Sequence, residues 1–324
     1  MIMNMVQAVT QALAVEMERD DRVVVLGEDV GRDGGVFRAT EGLFDRFGSE
    51  RVMDTPLAES GAVGVAVGLA ALGLRPVAEI QFMGFIYPAF NQIISHVARL
   101  RNRTRGRFGA PLVIRTPYGA GVKALEHHSE STEALFCHIP GLTVVVPSSP
   151  YDAKGLLIAS IRSDDPVIFL EPTKLYRAEK QDVPEGPYEV PLRQAAVVRE
   201  GRDLTVVAWG AMIPLARSAA EAASGEGISI EIVDLRTLSP MDRDTVLASV
   251  RRTGRAVVLH EAPKTCGLGA EIAATIAESA LLSLKGPVLR VTAPDITVPL
   301  PKTEDLYYPN AERVLRAVRR LMEY

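Results

Sequence analysis

Cysteine is scarce in this sequence of 324 residues. Its two cysteines, Cys137 and Cys266, are too few for a disulfide framework or for a metal site of paired cysteines. This usage is typical of a reducing compartment, and we therefore expect a cytoplasmic protein. Residues 1–20 agree with that expectation, because they lack a basic start followed by a continuous apolar core and instead have the spacing of an amphipathic helix.

The sequence also lacks long hydrophobic runs and an excess of positive charge. No apolar stretch approaches the roughly 18 residues that a membrane-spanning helix needs, so we expect no membrane partner. The formal net charge of −4 argues against a nucleic-acid partner. The most basic run, residues 99–107 (RLRNRTRGR), is typical of a helix end and loop or of a subunit contact.

Several common fingerprints are missing as well. The sequence contains no G-x-G-x-x-G after a strand, no Walker motif and no G-x-S-x-G turn. Each of these motifs positions a dinucleotide, a nucleotide phosphate or a nucleophilic serine. Short motifs therefore assign no reaction to the chain.

Alternating strand and helix patterns fill most of the sequence. Short β-branched runs separated by helical spacing predict an α/β fold in which mainly parallel sheets are flanked by helices. A polar, proline-bearing stretch at residues 171–193 interrupts this pattern. We therefore predict two α/β domains, residues 1–185 and 201–324, with a linker region at 186–200.

Residues 53–73 (MDTPLAESGAVGVAVGLAALG) combine one acidic residue with a helix of small side chains. Asp54, Thr55 and Pro56 are typical helix start signals, which places Glu59 in the first helical turn. A helix of glycine, alanine and valine is useful where another backbone or a large group lies close, so we expect a close neighbour. From this pattern alone, the simplest role of Glu59 is to complement the helix dipole.

Two other places carry polar residues at predicted strand ends. Glu28 and Asp29 follow the strand at residues 22–27, at the edge where open α/β sheets bind ligands, although acidic residues there also form turns. His127 and His128 lie in a glycine-rich loop, where a histidine is free to transfer protons or form hydrogen bonds. Their spacing does not match a zinc site.

Longer motifs are more specific than these single residues. Over essentially its full length, the chain resembles the beta subunit of thiamine-diphosphate-dependent 2-oxo acid dehydrogenases, the decarboxylating first component of the pyruvate and branched-chain complexes. The resemblance implies a transketolase-like pyrimidine-binding domain, followed by a transketolase C-terminal-like domain for subunit and complex assembly. The motifs are VVVLGEDVG (23–31), RVMDTPLAE (51–59), PVAEIQF (76–82), EHHSES (126–131), VVPSSPYDAKGLL (145–157), DPVIFLEP (165–172) and VDLRTLSP (233–240).

The resemblance implies a role for five residues around the pyrimidine ring of thiamine diphosphate. Glu59 is expected to hydrogen-bond that ring and to take part in the proton transfer that activates the cofactor. Phe85 is expected to stack on the ring, with Leu57 and Gln81 as further neighbours, and Glu28 to extend the acidic network. The alternative is core packing for Phe85 and Leu57, and a hydrogen bond at a strand end for Gln81.

The resemblance also implies a catalytic histidine and two metal ions. His128 is expected to protonate intermediates or to guide the lipoyl disulfide. The family's diphosphate and magnesium motif, G-D-G followed by an asparagine pair, is absent here, so the magnesium ligands are expected from an alpha subunit, in a tetramer of two alpha and two beta chains. A structural potassium ion is expected at Leu112, Val113, Ser160, Ser163 and Asp165.

The implied activity is that of an oxidoreductase acting on pyruvate, with transfer of the acyl group to the lipoyl groups of the acyltransferase component. The segment FIYPAF at residues 85–90 resembles branched-chain enzymes, which keeps a branched-chain 2-oxo acid dehydrogenase as the alternative. A non-catalytic interaction protein is a further alternative, although both Glu59 and His128 are present. A fragment of a single-chain relative, such as transketolase or deoxyxylulose-phosphate synthase, would carry part of the diphosphate motif.

Overall fold

The computed structural model describes residues 1–324 of this protein. Runs of β-branched residues form several of its buried strands. Val23–Gly27 (VVVLG) and Leu204–Ala208 (LTVVA) are buried at every position, as parallel strands covered on both faces should be. In chain order the strands are β1 (Ile2–Met3), β2 (Val23–Gly27), β3 (Val52–Asp54), β4 (Arg75–Glu79), β5 (Val113–Tyr118), β6 (Thr143–Val145), β7 (Val167–Pro172), β8 (Gln181–Asp182), β9 (Ala196–Arg199), β10 (Leu204–Ala208), β11 (Ile230–Asp234), β12 (Thr237–Ser239), β13 (Ala256–Pro263) and β14 (Leu289–Ala293).

Helices connect and cover these strands, and none of them combines the length and apolar character that crossing a membrane requires. The α-helices are α1 (Met5–Arg19), α2 (Leu43–Phe47), α3 (Glu59–Ala71), α4 (Phe90–Gln92), α5 (Leu100–Arg103), α6 (Glu133–Cys137), α7 (Pro150–Arg162), α8 (Met212–Ser224), α9 (Arg243–Thr253), α10 (Leu268–Ala280), α11 (Glu304–Tyr307) and α12 (Ala311–Met322). Short 3₁₀ segments occur at Met83–Ala89, Glu126–His128, Thr173–Leu175 and Leu281–Ser283, and a π-helical turn at Ile93–Val97.

The strands form two main sheets, which confirms the predicted fold class. The first has the order β12-β6-β7-β5-β4-β2-β3 and the second the order β14-β13-β10-β11-β9. All neighbouring pairs are parallel except β12 with β6 and β11 with β9, which lie at sheet edges. A separate antiparallel pair, β1 with β8, ties the N-terminus to the end of the first half of the chain.

The two halves of the chain exchange contacts at their boundary. Thr237 on β12 pairs with Val145 on β6, so a strand from the second half forms the edge of the first sheet. In the predicted linker at 186–200, Ala196–Arg199 forms β9 and pairs with β11 in the second sheet. The chain therefore enters the second sheet inside the region predicted as linker.

Candidate active site

The predicted site residues lie where parallel strands of the first sheet end. Because β2 pairs in register with both β3 and β4, and β4 with β5, the carboxyl ends of these strands share one edge. Glu28 follows β2 and Gln81 follows β4. The Gln81 side-chain amide donates to the Asp29 carboxylate at 3.0 Å, which fixes two of the strand ends to each other.

Glu28 and Glu59 form an acidic pair at this edge. Burial raises the pKa of the Glu28 carboxyl, and the negative charges of Glu59 and Asp29 raise it further. The Oε1 atom of Glu28 is buried and has no hydrogen-bond partner in the chain. A buried polar atom without a partner is rare in a folded protein, so this oxygen fits a donor supplied from outside the chain.

Glu59 is the first residue of α3, in the first turn as predicted, but the predicted start signals do not cap this helix. The N-cap residue is Ala58, which makes no side-chain capping bond. Asp54 instead accepts a hydrogen bond at 2.6 Å from the backbone amide of Gly31. The start signals at Asp54 and Thr55 therefore place the helix correctly but do not cap it, because the Asp54 carboxylate joins β3 to the loop after β2.

Aromatic rings enclose His128 at the same edge. The imidazole ring centroid lies 4.4 Å from that of Phe82 and 5.3 Å from that of Phe85, both in edge-on geometry. The Nδ1 atom of His128 is buried without a hydrogen-bond partner. His127 faces outward beside Glu126, with its Nδ1 atom 3.4 Å from a carboxylate oxygen. The two adjacent histidines thus differ: His128 has a ring contact with the predicted cofactor-binding residue Phe85, and His127 is exposed.

A close backbone approach brings the histidine loop to the aromatic segment. A Cβ atom built on Gly84 would lie 2.8 Å from the Cα atom of His127, so only glycine fits there without a shift. Phe82 also belongs to this group, although sequence reasoning did not select it. The PVAEIQF motif, which ends at Phe82, was the signal that could have identified it.

Similarity to known proteins agrees with this arrangement. A family model described as "Transketolase, pyrimidine binding domain" matches residues 2–179, and one described as "Transketolase, C-terminal domain" matches residues 193–314. The pyruvate dehydrogenase E1 component subunit beta of Acholeplasma laidlawii is 51% identical over 99% of this chain and 98% of its own length. The protein of the same name from Bacillus subtilis is 51% identical over 99% of both chains.

The chain belongs to the family of pyruvate dehydrogenase E1 beta subunits. A solved structure described as "Split gene transketolase, inactive beta4 tetramer" matches with a TM-score of 0.82 and 25% identity, over 99% of this chain and 98% of that chain. Two transketolase-like domains are therefore present, as the resemblance implied.

Within this family member, helix α3 presents an apolar face to solvent beside the acidic pair. Leu57, which precedes the helix, is 81% exposed, and Val65 and Leu72 are 54% and 83% exposed. Gly61 and Gly68 lie on the same exposed face. An exposed apolar side chain on the helix, with another next to each of its ends, is typical of an interaction surface. We call these five residues the α3 face.

The residues predicted to hold potassium lie away from this edge, where β5 and β7 begin and α7 ends. The Leu112 carbonyl accepts from the Val167 amide at 3.0 Å. The Ser163 carbonyl accepts from Arg75 at 2.9 Å, and the Asp165 carboxylate accepts from Arg101 at 2.5 Å. Each of these oxygens already accepts a hydrogen bond, but a carbonyl oxygen has a second lone pair. A cation would therefore have to share the oxygens with the N–H groups that already donate to them. Val113 and Ser160 lie beside them, on β5 and α7.

Proposed function

We propose that this chain acts as the beta subunit of a pyruvate dehydrogenase E1 component. With an alpha subunit it would catalyse the oxidative decarboxylation of pyruvate and pass the acyl group to lipoyl groups of an acyltransferase component. The observation that carries the proposal is the shared sheet edge, which holds the Glu28–Glu59 pair and the Phe85–His128 contact. The chain that carries this edge is 51% identical to a protein of that name.

The residues at this edge fit thiamine diphosphate. Glu28 offers a buried carboxyl oxygen without a partner, and Phe85 offers a half-buried ring. Gln81 and Leu57 would complete the pocket for the pyrimidine, beside Glu59. When bound, thiamine diphosphate supplies the electron sink that decarboxylation of a 2-oxo acid requires.

The acidic and imidazole side chains would handle protons. Glu59 would share a proton with the pyrimidine ring, and burial beside the charges of Glu59 and Asp29 raises the pKa of Glu28, which favours its protonated form. His128, whose Nδ1 atom has no partner in the chain, would deliver a proton to the substrate side of the site. An imidazole suits this task because it exchanges protons near neutral pH.

The alpha subunit would complete the site. The α3 face is apolar and exposed next to Glu59, and a partner chain would bury it. The sequence lacks the family's diphosphate and magnesium motif, so the partner would bring the magnesium ligands. We therefore propose a tetramer of two alpha and two beta chains, with each cofactor at an interface between the two kinds of chain.

Both cysteines support a cytoplasmic location for this enzyme. Cys137 and Cys266 are free thiols, as is usual in a reducing compartment. Fractionation of cells expressing the tagged chain would test the proposal, and recovery from a secreted fraction would contradict it.

The activity is tested with the chain purified together with its alpha subunit. Decarboxylation of pyruvate, 2-oxobutanoate and branched 2-oxo acids is compared with an artificial electron acceptor, and lipoyl acylation is then measured with the preferred substrate. We expect pyruvate to give the highest kcat/KM. A preference for branched substrates would assign the chain to the branched-chain enzyme instead.

We also propose that potassium binds at residues 112, 113, 160, 163 and 165 as a structural ion. The carbonyls of Leu112 and Ser163 and the carboxylate of Asp165 are the oxygen donors that carry this proposal. Binding would raise the melting temperature of the chain in potassium chloride above that in tetramethylammonium chloride at equal ionic strength. Equal melting temperatures, or an unchanged difference in Asp165→Asn, would contradict it.

A further inference from the structure

The loop that carries His128, residues 119–132, is held by the second half of the chain as well as by the first. On the first-domain side, the Tyr87 hydroxyl donates to the Glu130 carboxylate at 2.5 Å. On the other side, the loop contacts β13 and the segment around α11. These contacts involve Glu261, Glu304, Asp305 and Tyr308.

The contact closest to His128 is made by Tyr308. Its hydroxyl donates to the backbone carbonyl of Ser129 at 2.5 Å, and both residues are buried. Ser129 directly follows His128 in the chain. The Ser129 hydroxyl also donates to the carboxylate of Glu304, which is itself only 1% exposed, at 3.4 Å. Two side chains of the second domain therefore hold the carbonyl and the hydroxyl of the residue next to the histidine.

Tyr308 is in turn fixed to the second sheet. Arg313 on α12 donates to the carbonyls of Tyr307 and Tyr308 at 3.3 Å each, and to the carbonyl of Thr292 on β14. The rings of the two tyrosines form a small buried cluster with Ala120 of the loop. A continuous set of contacts thus runs from β14 through Arg313 and Tyr308 to the peptide beside His128.

The beginning of the loop has its own contact with the second domain. Glu261 on β13 accepts from the backbone amide of Ala120 at 3.3 Å. Gly119 has a φ of +76°, and a Cβ atom there would lie 2.5 Å from the Glu261 carboxylate, so the loop lies directly on this side chain. Further out, the Lys123 ammonium pairs with Asp305 at 2.6 Å. The second domain therefore contacts the loop at its start, at its tip and beside His128.

These contacts matter because no hydrogen bond within the chain orients the Nδ1 atom of the His128 imidazole. That atom is buried without a partner, and the ring otherwise has edge-on contacts with Phe82 and Phe85. The direction of the side chain consequently depends on the loop backbone. We propose that Tyr308 and Glu304 are positioning residues, through which the second domain sets the place of His128 in the active site. This inference rests on the role proposed above for His128.

The test replaces Tyr308 with phenylalanine in the complex of the chain with its alpha subunit. Two quantities are measured: the hydrogen exchange of the amides in residues 119–132, and the ratio of lipoyl acylation to artificial-acceptor turnover. Loss of one buried hydrogen bond should raise amide exchange about 3- to 10-fold and lower the ratio by a similar factor. In the double variant with His128→Ala, Tyr308→Phe should lower the ratio no further.

Two further comparisons keep the test specific. Tyr307→Phe is the matched control, because Tyr307 is a buried neighbour whose hydroxyl makes none of the contacts with the loop. Glu304→Gln keeps an acceptor oxygen for Ser129 and should resemble the parent, whereas Glu304→Ala should resemble Tyr308→Phe. If Tyr308→Phe melts below the assay temperature, the Glu304 pair decides in its place.

Unchanged amide exchange in Tyr308→Phe would overturn the inference. Faster exchange would also overturn it if Tyr308→Phe keeps the parent ratio of lipoyl acylation to artificial-acceptor turnover while His128→Ala lowers that ratio. An equal effect of Tyr307→Phe would overturn it too. If His128→Ala itself leaves the ratio unchanged, the proposed role of His128 fails. The exchange measurement then decides alone whether the second domain holds the loop.

Discussion

If the α3 face binds the alpha subunit, the exposed fraction of Val65 sets how strongly a substitution there should weaken association. Val65 is 54% exposed in the chain alone, so burial against an alpha subunit would remove about half of its surface from water and contribute roughly 1 kcal/mol. An aspartate at this position would lose that contribution and place an unpaired carboxylate in the interface, which costs several kcal/mol. Since 1.4 kcal/mol is a tenfold change in Kd, Val65→Asp should weaken association roughly 100-fold or more.

The assay is calorimetric titration of the beta chain with its alpha subunit, with the melting temperature of each variant measured alone. Because Val65 is exposed, the stability of the isolated chain should change by no more than about 1 kcal/mol. Leu282, which is 101% exposed in the second domain, provides the matched control Leu282→Asp. Parent-like association of Val65→Asp, or equal weakening by the control, would refute the assignment of the α3 face to the alpha subunit.

Two other predictions concern single side chains. His128→Ala should keep cofactor binding, because the contacts through Glu59 remain, but should lower lipoyl acylation more than artificial-acceptor turnover; equal losses in His127→Ala would contradict this. Glu133 is fully buried, and burial raises the pKa of its carboxyl to about 7. Folding therefore favours the protonated carboxyl, so the free energy of unfolding should fall as the pH rises from about 4.5 to 7. Glu133→Gln should reduce this fall by on the order of 1 kcal/mol or more. Urea unfolding at several pH values measures it, with the exposed Glu41→Gln as control; an unchanged pH profile in Glu133→Gln would contradict the reasoning.

The sequence was sufficient for the fold class and for the strand ends that carry the candidate site. Buried β-branched runs such as Val23–Gly27 predict parallel strands, and parallel strands place Glu28 and Gln81 at one edge. The position of Glu59 at the start of α3 also follows from local signals.

Long-range contacts could not be read from the chain. Asp54 is a residue type that commonly caps helices. Its carboxylate instead accepts a hydrogen bond from the backbone amide of Gly31, which is distant in sequence. The three residues of β12 show no strand period of their own and pair with β6 only because the second half of the chain returns to the first sheet. The hydrogen bond from Tyr308 to the His128 loop joins residues 179 positions apart, and no local sequence pattern predicts it.

We propose that the sheet edge bearing Glu59 is the acid–base centre of a 2-oxo acid decarboxylase. The most direct test is the rate of pyruvate decarboxylation by the complex carrying Glu59→Gln, with saturating thiamine diphosphate and magnesium. Glutamine keeps the size and a hydrogen-bonding shape but cannot exchange the proton, so turnover should fall roughly 100-fold or more while the chain still binds its alpha subunit. Near-normal turnover in this variant would reduce Glu59 to a charge at the start of α3 and contradict the proposed site.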